Sequence, residues 1–255
     1  MGELEAGNPW KALRQLTTAR IGLERAGGAS LATREVLAFK WAHAQARDAV
    51  YAPLDPEPLA RALEDLGMRV ALLKTEASDR AAFLRFPQKG RTLAEDARHT
   101  LRAMCEEDGY DVAITVADGL SATAVNRHAA PLLRVLLPAL QAQGYTIAPV
   151  CLLEQGRVAA SDWTGSVTNS RLSLILLGER PGLSSPDSLG AYLTYGPKVG
   201  NTDAQRNCVS NIRPEGLGYA PAADKILYLI QSALRLCISG TGLKEDDQNP
   251  FLPPR

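Results

Sequence analysis

The chain carries no net charge, because 28 Lys and Arg residues balance 28 Asp and Glu. Neither nucleic acid nor an anionic membrane surface gains anything from such a balance, and basic partners gain nothing either. No apolar run approaches the roughly 18 residues needed to cross a bilayer, and the opening "MGELEAGNPW" lacks the basic and apolar regions of a secretory signal. A cytoplasmic protein is expected. Cysteine and histidine are scarce. Cys105, Cys151, Cys208 and Cys237 show no C-x-x-C spacing, and His43, His99 and His128 are equally scattered, so neither a disulfide framework nor a zinc site is indicated. Each cysteine is expected to act as a small buried hydrophobe.

Catalytic and phosphate-binding signatures are missing too. No G-x-G-x-x-G follows the first strand of the α/β region described below, and no G-x-x-x-x-G-K-[ST] occurs anywhere, which removes the usual phosphate cradles. Asp118, Ser121 and His128 could be imagined as a hydrolytic triad. Yet "DGLSA" is not a G-x-S-x-G elbow, and Ser121 suits a helix cap better. The chain therefore reads as a binder or a subunit rather than a self-sufficient enzyme.

What is present is a long chain, 255 residues with 45% hydrophobic side chains, enough for a sizeable core. Residues 1–107 read as a mostly helical N-terminal region. Thr33 caps a helix carrying Leu37 and Trp41 that ends before Pro53, with His43 as a packed or interface histidine. A second helix opens at Pro56 to Pro58 and stops at Gly67, "MRVALLKT" reads as a short strand, and Ser78 and Thr92 suit the caps of two further helices.

The pattern changes after residue 107. "YDVAITVADG" reads as a buried strand, "SATAVNRHAAPLLRVLLPALQAQG" as a helix kinked or interrupted at Pro131 and Pro138, and "YTIAPVCLLEQ" as a strand again. That is a βαβ unit. "RLSLILLG" and "AYLTYG" add strands, and "PAADKILYLIQSALRLCISG" a closing helix. The expected fold class is α/β, a small doubly wound, mainly parallel, Rossmann-like sheet over 108–245, followed by a flexible tail over 246–255. Such sheets bind ligands beyond the carboxyl ends of their strands, where Asp118 and Glu179 fall. Glu179 also opens "GERPGLSSPDSLGAY", in which a charged pair at the mouth of a buried strand leads into a stiff loop.

Several stretches carry a resemblance: "TTARIGLERAGGASLATRE" (17–35), "HAQARDAVYAPLD" (43–55), "VAITVADGLSATAVNRHAAPLL" (112–133), "APVCLLEQGRVA" (148–159), "GERPGLSSPDSLGAYLTYGPKVGNTDAQRNCVSNIRPEGLGY" (178–219) and "SGTGLK" (239–244). Together they resemble the small subunit of ethanolamine ammonia-lyase, collinearly over nearly the whole chain. The resemblance implies a hetero-oligomer with a larger, barrel-shaped subunit, the cofactor adenosylcobalamin, and conversion of ethanolamine to acetaldehyde and ammonia by a radical mechanism. It implies that ethanolamine is bound mainly by the large subunit, while this chain covers part of the corrin. It also implies a cytoplasmic location, free or within a bacterial microcompartment.

Carried over position by position, the family's cobalamin contacts fall on Val158, Glu179 and Cys208. Each has a plainer alternative: Val158 as core, Glu179 as partner to Arg180 or Arg213, Cys208 as buried filler. The chain has no D-x-H-x-x-G run, so, with the resemblance, the cofactor is expected to keep its own dimethylbenzimidazole on cobalt, and this chain to supply no metal ligand. One segment departs from the family: "ASDWTGSVTNSR" (160–171) stands where an acidic, helix-favouring run is expected, with lower helix propensity throughout. A non-catalytic scaffold of the same fold without cofactor contact is the alternative function.

Overall fold

A computed structural model describes residues 33–243 together with Leu16. The resemblance over 17–32 and the expected tail over 246–255 lie outside the described residues. Two helices come first, α1 (Thr33–Tyr51) and α2 (Pro56–Glu64), then strand β1 (Val70–Lys74) and helices α3 (Arg80–Arg85) and α4 (Glu95–Ala103). There follow β2 (Tyr110–Ala117), α5 (Ala122–Ala142), β3 (Val150–Glu154), α6 (Ala160–Val167), β4 (Ser170–Gly178), β5 (Leu189–Tyr195), β6 (Arg206–Ile212) and α7 (Tyr219–Leu236).

The six strands form one sheet in the order β1-β3-β2-β4-β5-β6. Those from β1 to β4 in that order are parallel, and β5 and β6 are antiparallel additions. β1, from the segment read as mainly helical, forms the sheet's edge on β3. The two-residue period of each strand splits the core between the faces. Val112, Ile114 and Val116 of β2 pack with Leu63 of α2, Leu132 and Leu136 of α5, and Leu229 and Ile230 of α7. Ile175 and Leu177 of β4 face the other way, onto Leu101 of α4 and Ala160 of α6. The result is a three-layer α/β arrangement, in which each fully buried Leu or Ile contributes about 1.5–3 kcal/mol.

Local signals explain most boundaries. Ser121 does cap α5, its hydroxyl accepting from the Ala124 N–H at 3.3 Å. That helix runs unbroken from Ala122 to Ala142 with Pro131 and Pro138 inside it, and Gly144 follows it at a positive φ of 76°. Two caps differ from expectation. Asp79 rather than Ser78 caps α3, accepting from the Ala82 N–H at 2.8 Å, because the carboxylate stands where the free amide points. Ala94 rather than Thr92 precedes α4, since Thr92 is extended and its carbonyl accepts from the Glu76 N–H at 3.0 Å. On α1, His43 is exposed and stacks on Phe39 with ring centroids 6.4 Å apart. No helix among the described residues is long and apolar enough to cross a membrane.

Candidate functional site

The chain's winding opens a cleft. From β2 it passes through α5 to β3 on one side, and from β3 through α6 to β4 on the other side of β2. The loops after β3 and β4 therefore diverge around the end of β2, which leaves a crevice at the carboxyl edge. Its volume is about 760 Å³, and its walls come from Gly119 and Leu120 after β2, Gly156 to Ala159 after β3, Gly178 to Arg180 after β4, and Tyr192 of β5.

The floor of this cleft is bare backbone. The Leu120 N–H donates to the Gly178 carbonyl at 2.9 Å, and a Cβ at Gly178 would fall 2.0 Å from the Ser121 carbonyl oxygen. No side chain fits there. Below it lies Asp118, whose carboxylate accepts from the Gly156 N–H at 3.0 Å and pairs with Arg80 at 3.4 Å. Burial pushes the Asp118 carboxyl up to about 6, against the lowering pull of Arg80 and the Gln155 and Gly156 amides. The residue thus ties the ends of β2 and β3 to α3.

Glu179 stands half-buried at the end of β4. Its backbone N–H donates to the Ser188 carbonyl at 2.9 Å, closing the 179–188 loop. Its carboxylate accepts from the Ser188 hydroxyl and, at 3.3 Å, from the Asn211 N–H. Neither Arg180 nor Arg213 is its partner; Arg213 pairs with Asp187 at 3.7 Å. Val158 is half-buried in the turn before α6, against the α4–α6 side of the core. Val158 and Glu179 line the same cleft.

Cys208 lies one strand beyond that cleft, on β6 opposite Tyr192 of β5. It is exposed, as is Cys237, whereas Cys151 is buried, so the expectation that all four cysteines are buried is corrected for these two. For Cys208 the reason is β6 itself, a sheet-edge strand on which only Arg206, Val209 and Ile212 turn inward; Cys237 stands just past the end of α7, in a left-handed backbone conformation. Partial desolvation and the nearby Glu179 carboxylate raise the Cys208 thiol, against the Tyr192 hydroxyl, which lowers it. Burial raises the Tyr192 phenol well above its ordinary value as well, so that side chain stays a neutral donor.

The imagined triad does not assemble. Ser121 donates to the Pro186 carbonyl at 2.9 Å, while His128 is hydrogen-bonded to the Tyr219 hydroxyl at 2.8 Å and to Asp187 at 3.4 Å. Asp118 is engaged elsewhere. His128 serves to fasten the 179–188 loop to α5, together with Arg127, which reaches the same Asp187 oxygen at 3.0 Å.

Segment 160–171 forms helix α6 over Ala160–Val167 in spite of its low propensity, and enters β4 at Ser170. Tertiary contacts fix it. Asp162 receives two 2.7 Å hydrogen bonds from Arg206, the Thr164 and Thr115 hydroxyls share one of 2.8 Å, and Trp163 lies under the Arg98 guanidinium at 4.6 Å. Arg206 also donates to the Asn201 carbonyl at 3.0 Å, so the same pair holds the 201–203 stretch that forms a further wall of the cleft. Burial alone would lower the Arg206 pKa, but Asp162 holds it above its ordinary value.

Sequence reasoning missed the basic wall. Arg91, Arg157 and Arg180 all line the cleft but come from three distant segments; Arg157, adjacent to Val158 in "QGRVA", and Arg180, paired with Glu179 in "GERPG", carried local signals, and Arg91 carried none.

With this geometry in place, the comparisons are decisive. The family model for ethanolamine ammonia-lyase light chain (EutC) matches residues 7–244. The chain belongs to that family. It is 54% identical over 247 residues to the ethanolamine ammonia-lyase small subunit of Ralstonia nicotianae, covering 96% of this chain and 91% of that relative. The small subunit of Azotobacter vinelandii is 54% identical over 241 residues, 94% of this chain and 89% of its own. That of Xanthomonas campestris is 51% identical over 245 residues, 95% and 90% respectively.

Proposed function

We propose that this chain is the small subunit of an adenosylcobalamin-dependent ethanolamine ammonia-lyase, in which it holds one edge of the cobalamin against a larger subunit. The observation that carries the reading is the shared position of Val158 and Glu179 on the cleft at the strand ends, in a chain of this family. When bound, adenosylcobalamin supplies the radical chemistry that turns ethanolamine into acetaldehyde and ammonia. On this reading ethanolamine sits mainly on the large subunit, and the small subunit's task is to bind and orient.

The residues present fit that task. A cobalamin is larger than about 760 Å³, so the cleft suits a part of it, with the rest left for the partner. Adenosylcobalamin is fringed with amides and built on a broad apolar macrocycle. Glu179 is fixed by Ser188 and Asn211 and keeps acceptor capacity for amide N–H groups. Val158 offers apolar contact, and Tyr192 with Cys208 extends the wall along β5 and β6. No residue of this chain would need to serve as a ligand to the cofactor's metal; Val158, Glu179 and Cys208 would hold its edge. We read the sheet as a Rossmann-like, doubly wound support for this edge, and the enzyme as cytoplasmic, free or within a bacterial microcompartment.

The test is co-expression with a large subunit of the same family, followed by gel filtration, corrinoid absorbance and an acetaldehyde assay. Both chains should be needed for cobalamin retention and for turnover. Assembly that retains no cobalamin would sink the reading and leave a scaffold role.

A further inference from the structure

The basic wall of the cleft is chemically unfinished. Arg91, Arg157 and Arg180 line it, and among the described residues no ion pair is formed by any of the three. Arg157 lies on the face of Phe83 at 4.4 Å, and its Nη2 donates to the Phe83 carbonyl at 3.3 Å. Arg80 occupies the same ring at 4.7 Å. Phe83 is fully buried, so both guanidinium planes are held by a rigid anchor.

Two of their N–H groups are buried without an acceptor, Nε of Arg157 and Nη2 of Arg80. Buried donors are nearly always paired, and leaving one unpaired costs about 1–3 kcal/mol. Burial and the charges of Arg91, Arg80 and Arg180 together lower the Arg157 pKa. The acids on the same cleft are already engaged: Glu179 accepts from Ser188 and Asn211, and Asp203 lies 3.6 Å from Arg206. Three mutually repelling arginines on one wall of the cleft, with the neighbouring carboxylates already engaged, are arranged to meet an anion.

The cobalamin proposed above, on which this inference rests, carries one anionic group amid its amides: the phosphodiester that links the corrin to its nucleotide base. A planar guanidinium locked by stacking suits phosphate oxygens, which it can engage in pairs. We propose that Arg157, flanked by Arg91 and Arg180, receives this phosphodiester, so that the nucleotide loop lies along the β3 side of the cleft and the corrin amides along the Glu179 side. The shared chemistry is phosphate recognition, and a free phosphate ion could use it equally.

The experiment measures binding of three corrinoids to the complex of this chain with a large subunit: cobalamin, cobinamide, which lacks the nucleotide loop, and cobinamide bearing only the phosphate. Equilibrium dialysis with corrin absorbance gives the affinities. In the unaltered complex the two phosphate-bearing forms should bind more tightly than cobinamide. Arg157→Gln should weaken them by about tenfold, the scale of one lost charge-assisted hydrogen bond, and leave cobinamide unchanged. Arg157→Lys, which keeps charge without the planar fork, should fall between the two. Co-purification with the large subunit and an unaltered circular dichroism spectrum show that each variant has folded.

The inference is overturned if Arg157→Gln weakens cobinamide as much as cobalamin, or weakens neither. It is overturned likewise if inorganic phosphate binds unhindered to the complex already loaded with cobalamin and Arg157→Gln abolishes that binding, for the wall then serves a free ion. Should the unaltered complex bind none of the three corrinoids, the cobalamin reading itself fails, and this inference with it.

Discussion

Arg206 and Asp162 meet through two hydrogen bonds of 2.7 Å, with 2% of one side chain and 1% of the other exposed. The pair joins the start of β6 to the first turn of α6, two elements with little else to bind them, and it pins Asn201 at the cleft.

Asp162→Ala should therefore destabilise the protein by about 3–5 kcal/mol, since it strands a buried guanidinium. Urea unfolding checks this. The double change Asp162→Leu with Arg206→Met should recover most of the loss, because no unpaired charge is left. A single variant within 1 kcal/mol of the parent, the scale of an exposed ion pair, would show that the pair contributes little.

Glu179→Gln places an amide where two donors already converge, from Ser188 and Asn211. Cobalamin retention by the two-subunit complex should drop about tenfold, on the scale of one charge-assisted hydrogen bond, while the large subunit still co-purifies. Corrinoid absorbance of the gel-filtered complex reports the first effect and stained gels the second. Unchanged cofactor affinity removes Glu179 from the site.

Asp118 makes stability depend on pH in an unusual direction. Its carboxyl rises from an ordinary 3.8 to about 6 in the folded state, so between those values the native protein binds a proton that the unfolded chain has released. Stability contributed by this group is then full below about pH 4 and declines as pH rises towards 6, by about 3 kcal/mol in all. Urea midpoints for the parent, measured against Asp118→Asn, should fall with rising pH over that window. Parallel profiles would show that Asp118 is not the group responsible.

The cysteines give a footprint. With iodoacetamide the free chain should be modified at the exposed Cys208 and Cys237 and spared at the buried Cys151, where burial raises the thiol far above its ordinary value. In the complex with the large subunit, added cobalamin should slow Cys208 alone at least severalfold, read by peptide mass spectrometry. An unchanged Cys208 rate with cobalamin bound would show that β6 is not covered.

Much of the architecture was legible because the central strands announce themselves. β2 and β4 are buried over nearly their whole length, and near-continuous apolar runs of this kind mark a strand in a sheet covered on both faces. β6 was not legible, since "RNCVSNI" offers three inward positions among polar ones, which a single sequence cannot tell from a loop. "MRVALLKT" read as a strand, but its partner β3 lies 80 residues on, beyond any local pattern. The site divides the same way. Glu179 stood out from its place at a strand end, and Val158 and Cys208 were implied by resemblance; the arginine wall and the Asp162–Arg206 pair depend on residues that only the fold brings together.

The bonds between Glu179 and Ser188 have one more consequence, for how the chain's length can vary. They join the first residue of the 179–188 loop to its last, and thereby fix which residue of β5 lies opposite each residue of β4. Residues 180–187 contribute nothing to that ladder, so insertions or deletions among them leave the alignment of the strands intact. A deletion of one residue within β5 is another matter: it would turn Tyr192 away from the cleft and bring its neighbours' side chains round in its place. Length is free on one side of Ser188 and fixed on the other.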